Sequence, residues 1–144
     1  NSIPKIIIVE PEDADCVLKS IKNNEPTTIK VEKESIMGGM SCGEVSKVAW
    51  NILKLSTNYC VTIPDTMVAR VSSLLANKNF SKNKIEAGEC ATPGIIALKG
   101  ICFNQELKNK IKLNKNSKVL VFGCEGATDE KMYNKFLKIG NNTE

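Results

Sequence analysis

The residues able to do chemistry fall in four short segments: VEPEDADC at 9–16, SIMGGMSCGE at 35–44, AGECATPG at 87–94 and VFGCEGATD at 121–129. Each sets a carboxylate or a thiol close to small residues, and the last three carry glycines, which let a backbone or a flat ligand approach closely. The second segment reads either as a loop leading into a helix or as a close-approach turn. In the third, Glu89 stands beside a helix start made of small residues. There a carboxylate either pairs with the helix dipole or faces a ligand. The fourth opens from an apolar run through Gly126 into a helix, a plain connection or the usual ligand position of an α/β fold. The first is acidic at the point where a phosphate-binding turn would follow a first strand, so it would repel phosphate.

Other chemistries are excluded by composition. Histidine is absent from the 144 residues, which removes His triads, His metal ligands and His acid–base work. The six cysteines form no CxxC pair, so neither a zinc ribbon nor a thioredoxin-type motif is present, and no metal is expected. Reduced, mostly buried thiols in a cytoplasmic protein are the expectation, with Cys60 and Cys102 in the core. Net charge is +4, but the basic residues are nearly all Lys, with Arg70 the only Arg. Scattered Lys without Arg forks argues against nucleic acid as a partner. The Lys-rich stretch 108–118 reads as a solvated helix face. No apolar run is long enough for a membrane helix, and residues 1–5 lack a signal peptide's zones.

These segments need elements to position them. The runs at 5–10, 59–63 and 118–123 are apolar without alternation, as strands buried on both faces are. Residues 27–31 alternate and read as an edge strand. Asp13 or Asp15 can cap a helix reaching Ile21. Val45, Val48, Ala49, Ile52 and Leu53 make one helical stripe, and Met67, Val68, Val71, Leu74 and Leu75 another. Residues 93–103 read as a buried helix. Thr128 can cap a last helix whose Met132, Tyr133, Phe136 and Leu137 face inward. Alternating strands and helices predict an α/β fold, three αβα layers around a mainly parallel sheet. One domain is expected over 1–139, with 140–144 a frayed tail.

Taken together and in order, the segments resemble the carboxyl-terminal part of diaminopropionate ammonia-lyase. That family is a pyridoxal-phosphate (PLP) one, of the fold type II that includes the tryptophan synthase β subunit, threonine synthase and threonine dehydratase. The likeness runs from about Ile7 to Phe136. It comprises VEPEDADC, IMGGMSCGE, AWNIL around Trp50, the PDTMVA helix start, GECATPG and CEGATD.

The resemblance implies α,β-elimination of 2,3-diaminopropionate to pyruvate and ammonia, in the catabolism of amino acids. It also implies a homodimer, and a Schiff-base lysine, phosphate loop and catalytic acids in a preceding amino-terminal part. None of those motifs is present here, so no catalytic residue is assigned and the piece alone is expected to be inactive. The cofactor-binding residues it implies are Glu89, Gly123, Cys124, Gly38 and Gly39. Glu89 is similar to a Glu that approaches the cofactor ring. Gly123 stands where relatives commonly face the ring nitrogen with a hydroxyl, and Cys124 replaces a family Thr with a weak S–H donor. Cys16 and Cys42 match a disulfide-forming pair near the active-site entrance, a bridge contributing roughly 3.5 kcal/mol on the loop-entropy model. Another fold type II enzyme, a threonine or serine dehydratase or a synthase, and a non-catalytic binding domain remain as alternatives.

Overall fold

An unalternating apolar run becomes a strand only where another backbone completes its hydrogen bonds. Two runs meet that condition. Ile6–Pro11 (β1) and Thr57–Ile63 (β2) pair in parallel, with Ile7 opposite Tyr59 and Pro11 opposite Ile63. The structure, a computed structural model, describes residues 3–142. Residues 1–2, read above for a leader, and 143–144 of the expected tail lie outside it. Contacts gather into two compact units, one up to Asp65 and one from Thr66, within the span expected as one domain.

Unit 1 is a parallel strand pair with its crossover. After β1 the chain enters α1 (Cys16–Asn23), which ends on Asn24 in the left-handed conformation. Asp15 stands at the N-cap without a side-chain bond. The orphan amides are instead taken by Glu10, which accepts from Val17 and Leu18 N–H at 2.8 Å each. The cap expected of Asp13 or Asp15 therefore comes from the strand. Buried Ser20 ties the return loop, donating to the Cys16 carbonyl at 2.7 Å and accepting from Thr27 N–H at 2.8 Å. Residues 27–31 form no ladder; Ile29 N–H reaches the Gly43 carbonyl at 2.8 Å. The approach is so close that a Cβ on Gly43 would stand 2.6 Å from the Ile29 oxygen. Helix α2 (Lys47–Ser56) is capped by Ser46 and runs straight into β2. Of its expected stripe, Val45 just ahead of the helix is buried while Val48 and Ile52 lie in solvent, and within the helix the buried residue is Trp50.

Unit 2 is built on helices. Helix α3 (Val68–Ala76) packs on α6 (Glu130–Asn141), burying Val68, Val71, Leu75, Tyr133 and Phe136. Gly140 is required at the crossing, because a Cβ there would collide with the Ala69 carbonyl. Arg70 donates to the Gly140 carbonyl at 3.1 Å. Residue 140 is thus buried helix rather than frayed tail. Helix α4 (Pro93–Phe103) begins with proline in its first turn, the position that has no amide to satisfy. It buries Ile96, Ala97 and Ile101 but exposes Phe103 and Cys102, contrary to the expected all-round burial. Asn104 caps the short α5 (Gln105–Ile111). The cap of α6 is Asp129, not Thr128; its carboxylate accepts from Met132 N–H at 2.9 Å.

The strand expected at 118–123 is not formed. Its Val119, Leu120 and Phe122 are 50–82% exposed, and no strand stands beside it among the described residues. Helices with a parallel strand pair make the fold α/β. Among the described residues, no helix is long and apolar enough to cross a membrane.

Candidate functional site

In unit 2 the third and fourth segments come together. The GEC turn begins at buried Gly88 and continues as a 3-10 turn over Glu89–Ala91 before α4. Gly88 N–H donates to the Glu125 carbonyl at 3.2 Å, and Cys90 N–H donates to Glu125 Oε2 at 2.8 Å. The Cys124 thiol points at the Cys90 carbonyl, 3.9 Å away. Gly123 lies over Ala91: a Cβ built on it would meet the Ala91 Cβ at 3.5 Å, ordinary contact. The turn is closed from within by Thr92, fully buried, whose hydroxyl donates to the Glu89 carbonyl at 2.9 Å. Glu89 is half-buried, whereas Gly123 and Cys124 are exposed. The result is a wall of two packed turns that carries Glu89 and Cys124 beside a bare stretch of backbone at Gly123.

In unit 1 the second segment is organised by Asp65. Its Oδ1 accepts the Ser35 hydroxyl at 2.6 Å and its Oδ2 accepts Ile36 N–H at 2.8 Å. Ser35 Oγ in turn accepts Met37 N–H at 3.0 Å. Met37 is fully buried and plugs the turn into the core of its unit. Gly38 and Gly39 follow, exposed, and Gly38–Met40 forms a 3-10 turn. A Cβ on Gly38 would meet nothing within 4 Å.

Cys16 and Cys42 belong to the same unit and are two separate thiols, one buried and one exposed. The Cys16 thiol is pushed up to about 11, chiefly by burial, then by the Glu10 carboxylate, with Cys42 adding to the effect. Burial also raises the Glu10 carboxyl, against the lowering effect of the Val17 and Leu18 amides. The Cys60 thiol, half-buried, is raised by burial too. Among the described residues no group of three His, Cys, Asp or Glu is placed to hold a metal.

The structure thus brings Glu89, Gly123 and Cys124 into one wall and places Gly38 and Gly39 in unit 1. Two residues escape sequence reading: Asp65, which looks like a helix start, and Glu125, which looks like one more acid in a loop. Their roles depend on contacts 30 and 35 residues away, and no local pattern encodes those.

No family model matches the chain. Curated relatives do. Diaminopropionate ammonia-lyase of Escherichia coli (strain K12) is 32% identical over 130 residues, which is 88% of this chain and 33% of that protein. This chain therefore spans about a third of the length of the curated relatives it matches. Solved structures of the Escherichia coli enzyme agree. Its complex with D-serine has a TM-score of 0.83 at 30% identity, over 96% of this chain and 35% of that one. Its complex with an aminoacrylate–PLP azomethine reaction intermediate has a TM-score of 0.80 at 29% identity, over the same shares. In sequence over 88% of its length, and in fold, this chain is similar to the diaminopropionate ammonia-lyases, and its fold is that of PLP fold type II enzymes.

Proposed function

We propose that this chain forms the carboxyl-terminal third of a PLP-dependent ammonia-lyase that converts 2,3-diaminopropionate to pyruvate and ammonia. The observation that carries the reading is the wall in unit 2, where the turn that carries Glu89 packs on Gly123 and Cys124, in a chain 32% identical to such an enzyme. When bound, PLP supplies the electron sink that loss of the substrate's α-proton requires. Gly123 offers no side-chain acid to the ring nitrogen. A thiol such as Cys124 Sγ is only a weak hydrogen-bond donor. A ring nitrogen facing that pair would meet no strong acid and would stay largely unprotonated, which suits elimination of a β-substituent. Glu89 presents its carboxylate from the half-buried turn, and Gly38 and Gly39 present bare backbone.

The covalent lysine, the phosphate loop and the proton-handling acids are assigned to the rest of the protein, so this chain alone is inactive. Cys16 and Cys42 are assigned as a disulfide-capable pair. The whole enzyme is read as a cytoplasmic homodimer of amino-acid catabolism.

The test is the full-length protein with PLP and 2,3-diaminopropionate. Pyruvate and ammonia released together are the expected result. Activity on threonine or serine instead would make it a dehydratase. A folded protein that neither binds PLP nor releases ammonia would make it a binding domain.

A further inference from the structure

We infer that Glu125, to which the family resemblance gives no role, is a positioning residue that holds the Glu89 turn against Gly123 and Cys124. This deepens the PLP-enzyme reading and rests on it. The geometry has three parts. Glu125 Oε2 accepts Cys90 N–H at 2.8 Å, at the start of the 3-10 turn that carries Glu89. The Glu125 carbonyl accepts Gly88 N–H at 3.2 Å, so side chain and backbone grip the turn on both sides of Glu89. The Glu125 side chain occupies the notch left by the missing side chain of Gly88: a Cβ there would lie 2.9 Å from both Cγ and Oε2, and would collide with the Gly126 carbonyl.

Gly88 is therefore glycine to admit its neighbour, and Glu125 converts that close approach into a fixed spacing between two loops. Ligand-facing groups need such fixing, because a displacement of about 1 Å can cost about 100-fold in rate. Glu125 touches no reacting atom. It acts through Glu89 on one side and, as their chain neighbour, through Gly123 and Cys124 on the other. What counts is its acceptor oxygen, so the conservative amide should replace it.

In the full-length enzyme, Glu125→Ala should lower kcat/KM by about 10- to 100-fold, weaken PLP affinity and shift the visible band of the bound cofactor. Glu125→Gln should restore all three to within about threefold, since its carboxamide oxygen still accepts from Cys90. Gly88→Ala, which opens the same clasp from the opposite side, should reproduce the Glu125→Ala spectrum, and it carries the test if Glu125→Ala does not fold. Asp129→Ala removes a hydrogen bond of the same kind from the same loop, so it should lower stability without moving the band. Hydrogen exchange gives a readout independent of activity: the 88–92 amides should exchange faster in Glu125→Ala and Gly88→Ala but not in Glu125→Gln. Wild-type spectrum, kinetics and exchange in Glu125→Ala would overturn the inference, as would Glu125→Gln being as damaged as Glu125→Ala. A wild-type enzyme without PLP-dependent ammonia release would sink the functional reading instead, and the exchange experiment would still decide whether the clasp exists.

Discussion

Asp65 in unit 1 and Glu125 in unit 2 each organise a glycine turn some thirty residues away in sequence, by different means. Asp65 uses both carboxylate oxygens, and Ser35 relays its hold to Met37. The turn is then anchored by the buried Met37 side chain, while Gly38 beyond it faces open space. Glu125 uses one carboxylate oxygen and its own carbonyl, and the glycine it grips is itself the receptacle. The difference separates two reasons for a glycine. At Gly88 the fold demands it. At Gly38 neither space nor a positive φ does, since no described glycine has φ above zero. Gly38 is thus a glycine that its own unit does not demand, which leaves it open for the cofactor contact proposed above.

The sharpest contrast lies in the carboxylates themselves. Hydrogen bonds to a charged group contribute about 1.5–3 kcal/mol each. Asp65→Ala removes two and should lower stability by about 3 kcal/mol, whereas Glu125→Ala removes one side-chain bond and should cost about 1.5 kcal/mol. Urea midpoints of the two variants measure this; equal losses would erase the distinction between the two turns.

The glycines come next. Gly88→Ala overpacks the clasp and should destabilise by about 2 kcal/mol. Gly38→Ala should raise stability by about 0.4–1 kcal/mol, because the backbone tolerates it, nothing is touched and the unfolded chain has fewer states to lose. In the full-length enzyme, the same Gly38→Ala should nonetheless weaken PLP binding. A large loss of stability at Gly38 would show that the fold needs that glycine after all.

The thiols extend the contrast to pH. Cys16 of unit 1 is buried at 3% exposure, and Cys124 of unit 2 is exposed. The Cys16 thiol in the folded protein stands above its ordinary value of 9.0, at about 11, so folding favours the protonated form. The corresponding stability is complete below the ordinary value and is lost as pH rises through the folded one. The loss is at most about 3 kcal/mol. Unfolding midpoints at rising alkaline pH should show the fall, and Cys16→Ala should flatten it. At pH 8, iodoacetamide should label Cys124 and Cys42 well before Cys16; rapid labelling of Cys16 would contradict its burial.

What the sequence makes legible follows the same division between local and distant causes. β1, β2, α3 and α4 come through because period and run length are local signals, as does Pro93; α6 comes through as a helix, but its cap is Asp129, one residue beyond the Thr128 expected. The strand expected at 118–123 fails because a strand needs a partner, and among the described residues none pairs with it. The stripe on α2 is read correctly as helical, but Val48 and Ile52 face solvent, since amphipathic spacing does not say what covers a face. Of the site, the glycine turns and Glu89 are visible as residue types. Asp65 and Glu125 are not, because an acid in a loop acquires its meaning only from the amide it meets.

The smallest loss of stability concerns the second carboxylate of the Glu125 loop. Asp129 accepts from Met132 N–H at 2.9 Å and caps α6, the helix that packs on α3. The bond is exposed, so water replaces part of it when it is lost. Asp129→Ala should therefore cost about 1 kcal/mol, the usual value for an N-cap. Asp129→Ser, which retains a capping oxygen, should recover most of that. Four residues apart, Glu125 and Asp129 would then be separable: one acting on the wall, the other on the helix beneath its own loop. If Asp129→Ala moved the exchange of the 88–92 amides as much as Glu125→Ala does, loop and turn would be one rigid piece, and the special part given to Glu125 would belong to the whole segment.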